Sequence, residues 1–124
     1  MATDCDSSHM GMEPTEAQAF CRVSVDTALE ILKRSHQEGR PARLYDIRDA
    51  ASFEAGHYPG ALRLGPANLD EALGAKDHET PILIYCYHGH SSQRAAGLFA
   101  EKGFVQSCSI DGGWEFLRYQ LPPS

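Results

Sequence analysis

The sequence lacks any long apolar segment. No run of about 18 consecutive apolar residues, the length that a membrane-spanning helix needs, occurs among its 124 residues. The amino-terminal segment also lacks the basic start and the apolar middle of a secretory signal. We therefore expect one soluble globular domain, located in the cytoplasm and without contact to a membrane.

Concentrated positive charge is also missing. The 17 acidic and 11 basic residues give a net charge of −6 at pH 7, and no cluster of lysine and arginine occurs. Proteins that bind nucleic acid depend on such clusters to neutralise phosphates. A nucleic-acid partner is therefore disfavoured, and we expect a mildly acidic surface.

Cysteine is sparse and is not arranged for metal binding. The four cysteines, Cys5, Cys21, Cys86 and Cys108, form no C-x-x-C pair and no zinc-site spacing with histidine. We therefore expect no metal, and nothing in the sequence indicates an organic cofactor. The spacing does not exclude disulfides, but the missing export signal favours reduced thiols.

Residues 1–15 are set apart from the rest of the chain. They include Ser-Ser-His-Met at positions 7–10, which resembles a vector remnant. We interpret residues 1–15 as a disordered leader or tag remnant, and we expect the folded domain to occupy residues 20–121.

One stretch combines an apolar run, a cysteine and a helical pattern. Pro81-Ile-Leu-Ile-Tyr85 has the length of a strand, a polar loop opens on Cys86, and an apolar helical face follows. Cys86 is thus expected at the carboxyl end of a buried strand, near loop N–H groups and the positive end of a helix. This setting favours a thiolate and makes Cys86 a candidate nucleophile. The alternative is that Cys86 is only a small buried apolar residue, which is the usual role of a free cysteine.

Short apolar runs alternate with helical patterns along the whole chain. This alternation predicts an α/β domain with a mainly parallel sheet and helices on both faces. Ligands of such sheets bind at the carboxyl ends of the strands, so we expect the polar segments 46–49, 86–91 and 111–113 to meet at one edge. Strands are predicted at 21–23, 42–47, 61–64, 81–85 and 105–110, and helices at 25–36, 50–55, 69–73, before Gly103, and at 114–119.

A cysteine at the start of such a loop can serve two chemistries. A cysteine phosphatase needs arginine at the sixth position after its cysteine, to bind the phosphoryl dianion with two charged donors. That position holds Ser92, and Arg94 lies inside the predicted helix, so a phosphatase is disfavoured. In sulfur transfer the thiolate takes the outer sulfur of a donor and becomes a persulfide, which backbone N–H groups can stabilise.

Three segments together resemble the signatures of one family. Cys86-Tyr-His-Gly-His-Ser91, Leu44-Tyr-Asp-Ile-Arg-Asp49 with 53–61, and Ile110-Asp-Gly-Gly-Trp114 look like a single-domain rhodanese, a thiosulfate sulfurtransferase, over about residues 22–120. The loop is especially similar to the small glycerol-operon sulfurtransferases of bacteria. The resemblance implies a five-stranded parallel sheet, a six-residue active loop and Cys86 as the persulfide carrier.

The resemblance also suggests roles for single residues. Arg48 and Glu54 resemble a structural pair that ties a loop to its helix. Asp46 could steer the donor, although a buried structural carboxylate is the preferred interpretation, and Arg94 could steer it or remain a solvated surface residue. The residues that follow Cys86 are candidates for substrate binding: Tyr87, His88, Gly89, His90, Ser91 and Ser92.

The family's donors and acceptors set the expected partners. The donor would be a small anion such as thiosulfate, and the acceptor cyanide or a thiol or dithiol such as thioredoxin. Many rhodaneses carry lysine or arginine at the loop, but residues 86–93 contain none. We therefore expect weak thiosulfate binding near neutral pH, improving as His88 or His90 becomes protonated and opposed by the competing protonation of the thiolate. A monomer or weak dimer is expected, and a non-catalytic rhodanese-fold binding or regulatory module is the alternative function.

Overall fold

A computed structural model describes residues 20–120 of the chain. It contains a five-stranded sheet of order β1-β5-β4-β2-β3 in which every neighbouring pair is parallel. The strands are β1 Cys21–Val23, β2 Arg43–Asp46, β3 Leu62–Arg63, β4 Ile82–Tyr85 and β5 Ser107–Ile110. The helices are α1 Val25–Gln37, α2 Ala50–Ala55, α3 Leu69–Leu73, α4 Ser91–Glu101 and α5 Gly113–Leu117, and a 3-10 turn Arg118–Gln120 follows α5.

The predicted α/β fold with a parallel sheet is confirmed, and two apolar clusters fill its two faces. Alternate residues of a strand point to opposite faces, so Leu83 and Tyr85 of β4 join the cluster beneath α1 and α5. Ile82 and Ile84 join the cluster beneath α3 and α4. Both faces of β4 are therefore covered, and all four of its residues are buried.

Polar side chains that precede two helices cap their first turns. The Ser24 hydroxyl accepts the N–H of Thr27 at 3.1 Å, and the Asp49 carboxylate accepts the N–H of Ser52 at 3.3 Å. Each side chain satisfies a backbone donor that the first helical turn leaves open. The cap at Asp49 starts α2 directly after β2 and so fixes where α2 lies beside the sheet edge.

Several boundaries differ from the predicted ones by one or two residues. The fifth strand begins at Ser107 rather than at 105, and the last helix begins at Gly113 and gives way to a 3-10 turn.

The expectation of reduced thiols is wrong at Cys21, which is disulfide-bonded. Among the described cysteines, Cys86 and Cys108 are free.

Two further expectations concern the ends of the chain and the membrane. The interpretation of residues 1–15 as a leader lies outside the described residues. Within residues 20–120, no helix has both the length and the apolar character that crossing a bilayer requires.

Candidate active site

Cys86 follows β4 directly and is enclosed by its own loop. The residue is 5% exposed, and its Sγ accepts the backbone N–H groups of Gly89 at 3.1 Å and Ser92 at 3.4 Å. The Ser92 hydroxyl lies 3.5 Å from the same sulfur. These donors come from the loop and from the first turn of α4, where backbone N–H groups have no partner within the helix. The sulfur is therefore surrounded by groups suited to a negative charge.

Two opposing effects decide the protonation of Cys86. Burial disfavours the charged form and on its own would raise the pKa of the thiol. The Ser92 hydroxyl and the N–H groups of Ser92, Gly89 and His88 act in the other direction, and the pKa lies below the ordinary value for cysteine. The hydrogen bonds thus outweigh the burial, and the site favours a thiolate.

The other described free cysteine shows what burial does without such donors. Cys108 is 1% exposed, and burial raises the pKa of its thiol to about 12. A thiol in that state is a poor nucleophile. The two cysteines therefore differ in their reactivity because only Cys86 has donors directed at its sulfur.

Gly89 and Gly113 bring the Cys86 loop close to the start of α5. Gly89 has φ +98°, and a Cβ there would lie 2.9 Å from the backbone nitrogen of Gly112. Gly113 has φ +56°, and a Cβ there would overlap the carbonyl oxygen of Cys86. Glycine is the residue that permits both the backbone conformation and the close approach. The segments 86–91 and 111–113 therefore meet at one sheet edge, as predicted.

Backbone hydrogen bonds hold α5 against the loop. The N–H of Trp114 donates to the carbonyl oxygen of Cys86 at 2.7 Å, and the N–H of Glu115 donates to that of Tyr87 at 3.1 Å. These are N–H groups of the first turn of α5, which lack partners inside the helix. On the other side of the loop, the Gln93 side chain donates to the carbonyl oxygen of Gly89 at 2.9 Å. The loop is thus fixed by both neighbouring helices.

Asp46 is completely buried and is engaged by Arg48. The guanidinium donates from Nη2 to Oδ2 at 2.6 Å and from Nε to Oδ1 at 3.0 Å. Nη2 also donates to the carbonyl oxygen of Gly56 at 2.7 Å, and the guanidinium carbon lies 4.5 Å from the ring centre of Trp114. The salt bridge of Arg48 is therefore with Asp46, and the expected pairing with Glu54 is wrong. Since its carboxylate is bonded and buried, we propose a structural role for Asp46.

The remaining loop residues lie at the surface. Tyr87, His88, His90 and Ser91 are exposed, and so is Arg94 on α4. The Tyr87 hydroxyl donates to Asp49 at 2.5 Å. The hydroxyls of Tyr87 and Ser52 lower the pKa of Asp49 to about 2. A fixed negative charge therefore lies beside the loop.

A cavity of about 440 Å³ lies between α2, the loop and α5. His88 and Glu115 form part of its wall, and His88 Nδ1 lies 2.6 Å from Glu115 Oε1. The sequence alone does not indicate Glu115, because its partner lies 27 positions earlier.

Among residues 20–120, no group of three or more histidine, cysteine or acidic side chains could hold a metal ion.

Comparison with known proteins relates the chain to one family. A family model described as a Rhodanese-like domain matches residues 27–117. The thiosulfate sulfurtransferase GlpE of Pseudoalteromonas translucida is 41% identical over 100 residues, covering 78% of this chain and 90% of that protein. GlpE of Pseudomonas putida is 41% identical over 103 residues, covering 83% and 89%. The structure of a human single-domain sulfurtransferase is similar with a TM-score of 0.60 at 22% identity, covering 82% of this chain and 97% of that one.

Proposed function

The chain belongs to the rhodanese-like domain family, and on that premise we propose that it is a thiosulfate sulfurtransferase with Cys86 as its nucleophile. The observation that supports this most directly is the set of donors around Cys86 Sγ. Two backbone N–H groups, from Gly89 and Ser92, point at the sulfur within 3.4 Å. Such an array can stabilise a thiolate, a bound anion and a persulfide in succession.

The proposed first step forms a sulfur–sulfur bond on the protein. The Cys86 thiolate attacks the outer sulfur of thiosulfate, the bond between the two thiosulfate sulfurs breaks, and sulfite leaves with that electron pair. No proton has to move in this step when Cys86 reacts as the thiolate. The donors that lower the pKa of Cys86 favour this reacting form.

The second step returns Cys86 to its starting state. The acceptor attacks the outer sulfur of the persulfide, and the Cys86 thiolate leaves with the electron pair of the bond. Cyanide would become thiocyanate, and a dithiol would become a persulfide whose second thiol then releases hydrosulfide by forming a disulfide. We propose that the acceptor in the cell is a dithiol protein such as thioredoxin, in the cytoplasm, and not cyanide.

Sulfur uptake measured by intact mass tests the proposed nucleophile. After exposure to thiosulfate without reducing agent, the protein is expected to gain one sulfur atom, and Cys86→Ser is expected to gain none. Cys108→Ser is the matched control, because Cys108 is a buried thiol with a raised pKa, and it should gain sulfur like the wild type. Uptake by Cys86→Ser would assign the sulfur to another residue, and the absence of any adduct in the wild type would favour a binding module.

Glu115 is expected to oppose the binding of an anionic donor. Its carboxylate lies 2.6 Å from Nδ1 of His88 in the Cys86 loop, so its negative charge lies beside the loop and repels an anion that approaches it. Glu115→Gln should lower the thiosulfate KM by about two- to fivefold at low salt, since exposed charge pairs have effects of this size.

Steady-state thiocyanate production at several thiosulfate concentrations measures this effect. The difference between Glu115→Gln and the wild type should shrink as ionic strength rises, with little change in kcat. Glu101→Gln is the control, because Glu101 is an exposed acid at the far end of α4. An unchanged or higher KM in Glu115→Gln would contradict the expectation.

A further inference from the structure

Two buried serine hydroxyls connect β5 to the first turn of α4. Ser92 Oγ and Ser109 Oγ are 2.7 Å apart, and both residues are 0% exposed. A buried hydroxyl must find its hydrogen-bond partner within the protein. Ser92 already lies beside the Cys86 sulfur, at 3.5 Å from its hydroxyl. Ser109 is therefore connected to the nucleophile through one intervening hydroxyl, that of Ser92.

The donors and acceptors of this chain can be assigned for the thiolate state. A thiolate only accepts hydrogen bonds, so the single proton of the Ser92 hydroxyl must point at Cys86 Sγ to stabilise it. The bond between the two serines must then use the proton of Ser109, with Ser92 Oγ as the acceptor. Each hydroxyl has one proton, so Ser109 fixes the direction in which Ser92 donates.

We propose that Ser109 is a positioning residue that holds the Ser92 hydroxyl directed at the Cys86 sulfur. It does not touch the reacting atoms and acts through Ser92. This inference rests on the proposed function only in taking Cys86 as the nucleophile. It assigns a role to a residue of β5 that lies well outside the loop.

A neighbouring serine makes a similar connection between β5 and α4 without contacting Ser92 or Cys86. Ser107 lies on the same face of β5, is 2% exposed, and donates to the carbonyl oxygen of Ala96 in α4 at 2.8 Å. Both serines thus connect β5 to α4 through a buried hydroxyl. The partner of Ser107 is a main-chain group, whereas the partner of Ser109 contacts the Cys86 sulfur. Ser107 therefore provides a matched control for what a buried hydroxyl between β5 and α4 contributes to stability alone.

Removing the Ser109 hydroxyl should weaken the stabilisation of the thiolate. In Ser109→Ala the Ser92 hydroxyl is free to turn away from Cys86, so the pKa of Cys86 should rise toward that of an ordinary thiol. We expect the thiolate fraction at neutral pH to fall about three- to tenfold, the effect of one hydrogen bond. The pH at which alkylation of Cys86 reaches half its maximal rate should move upward accordingly.

The test follows the alkylation rate of Cys86 by iodoacetamide from pH 5 to 10, quantified on the peptide that contains this residue. Ser109→Ala should shift the midpoint upward, while Ser107→Ala should lower the free energy of unfolding in urea and leave the midpoint unchanged. Ser109→Thr and Ser109→Val have the same shape and differ in the hydroxyl, so Thr should keep a lower midpoint than Val. This pair tests whether the hydroxyl at position 109 acts on Cys86 even if Ser109→Ala does not fold.

Two outcomes would overturn the proposal. Equal midpoints in Ser109→Thr and Ser109→Val would show that the hydroxyl does not act on Cys86. Equal shifts in Ser107→Ala and Ser109→Ala would show a general loosening of α4 instead. Alkylation does not require sulfur transfer, so the midpoints report on Ser109 even if Cys86 takes no sulfur from thiosulfate.

Discussion

Gly113→Ala is expected to lower the free energy of unfolding by about 2 to 5 kcal/mol and to slow sulfur uptake by about 100-fold. The residue has φ +56°, which costs an L-residue with a side chain about 1 to 2 kcal/mol. The added Cβ would also overlap the carbonyl oxygen of Cys86 and lie 2.8 Å from that of Tyr87. Neither neighbour can turn aside, because both are main-chain atoms.

The effect on activity follows from where the displaced atoms lie. The carbonyl oxygen of Cys86 accepts the N–H of Trp114 at 2.7 Å, so relief of the overlap must separate α5 from the loop or move the loop itself. Movement of the loop changes the 3.1 Å bond from the Gly89 N–H to Cys86 Sγ. Displacement of reacting groups by about 1 Å can cost about 100-fold in rate. The rate of sulfur uptake by mass and urea unfolding measure the two effects.

Gly39→Ala is the matched control for the backbone conformation. Gly39 has φ +81°, and within the described part of the chain nothing lies within 4 Å of a Cβ placed there. It should therefore lose about 1 kcal/mol of stability from the left-handed conformation alone and keep its rate of sulfur uptake. Equal losses of stability in both variants, with full uptake in Gly113→Ala, would contradict the role assigned to the close approach.

The fold could be predicted because its signals are local. An apolar run of strand length, then Cys86, then a helical apolar face are read from adjacent residues, and β4, the loop and α4 follow that order. The meeting of segments 86–91 and 111–113 also follows from the sequence, since parallel strands end at the same edge. Capping by Ser24 and Asp49 depends on residues three positions apart and is a local feature as well.

The remaining site residues could not be predicted because their partners are distant in sequence. Ser109 contacts Ser92 across 17 positions, and a serine inside a predicted strand carries no indication of its partner. The expected partner of Arg48, Glu54 in the following helix, is wrong, because Arg48 pairs with Asp46, two positions earlier. The direction of the Arg48 side chain decides between the two partners, and the strand pattern alone does not predict that direction. The Ser-Cys-Ser run in β5 is the one available signal, because buried strands rarely carry two hydroxyls without partners for them.

Asp46→Asn is expected to lower the free energy of unfolding by about 3 to 5 kcal/mol, the usual cost of leaving a buried charge unpaired. Arg48 remains protonated in any protein environment, and its side chain is 3% exposed in this structure. Asparagine has nearly the same shape as aspartate but lacks the charge, and its amide nitrogen would face the guanidinium as a second donor. The buried positive charge would therefore lose its counterion without access to water.

The damage should extend from this pair to the active loop. The Arg48 guanidinium lies 4.5 Å from the ring centre of Trp114, and the Trp114 N–H donates to the carbonyl oxygen of Cys86. Loss of the pair loosens this side of α5 and with it one support of the loop. We expect Asp46→Asn to take up sulfur more slowly even at temperatures where it is fully folded.

A double variant separates the lost pairing from the lost volume. Asp46→Leu combined with Arg48→Met replaces both charges by apolar groups, and it should be more stable in urea than either single variant, because no buried charge remains. Arg40→Gln is the surface control, since the Arg40 and Asp77 side chains are 48% and 49% exposed, and exposed pairs contribute little to stability. If Asp46→Asn unfolded at the same urea concentration as Arg40→Gln, the buried pair would not be the structural support of this edge.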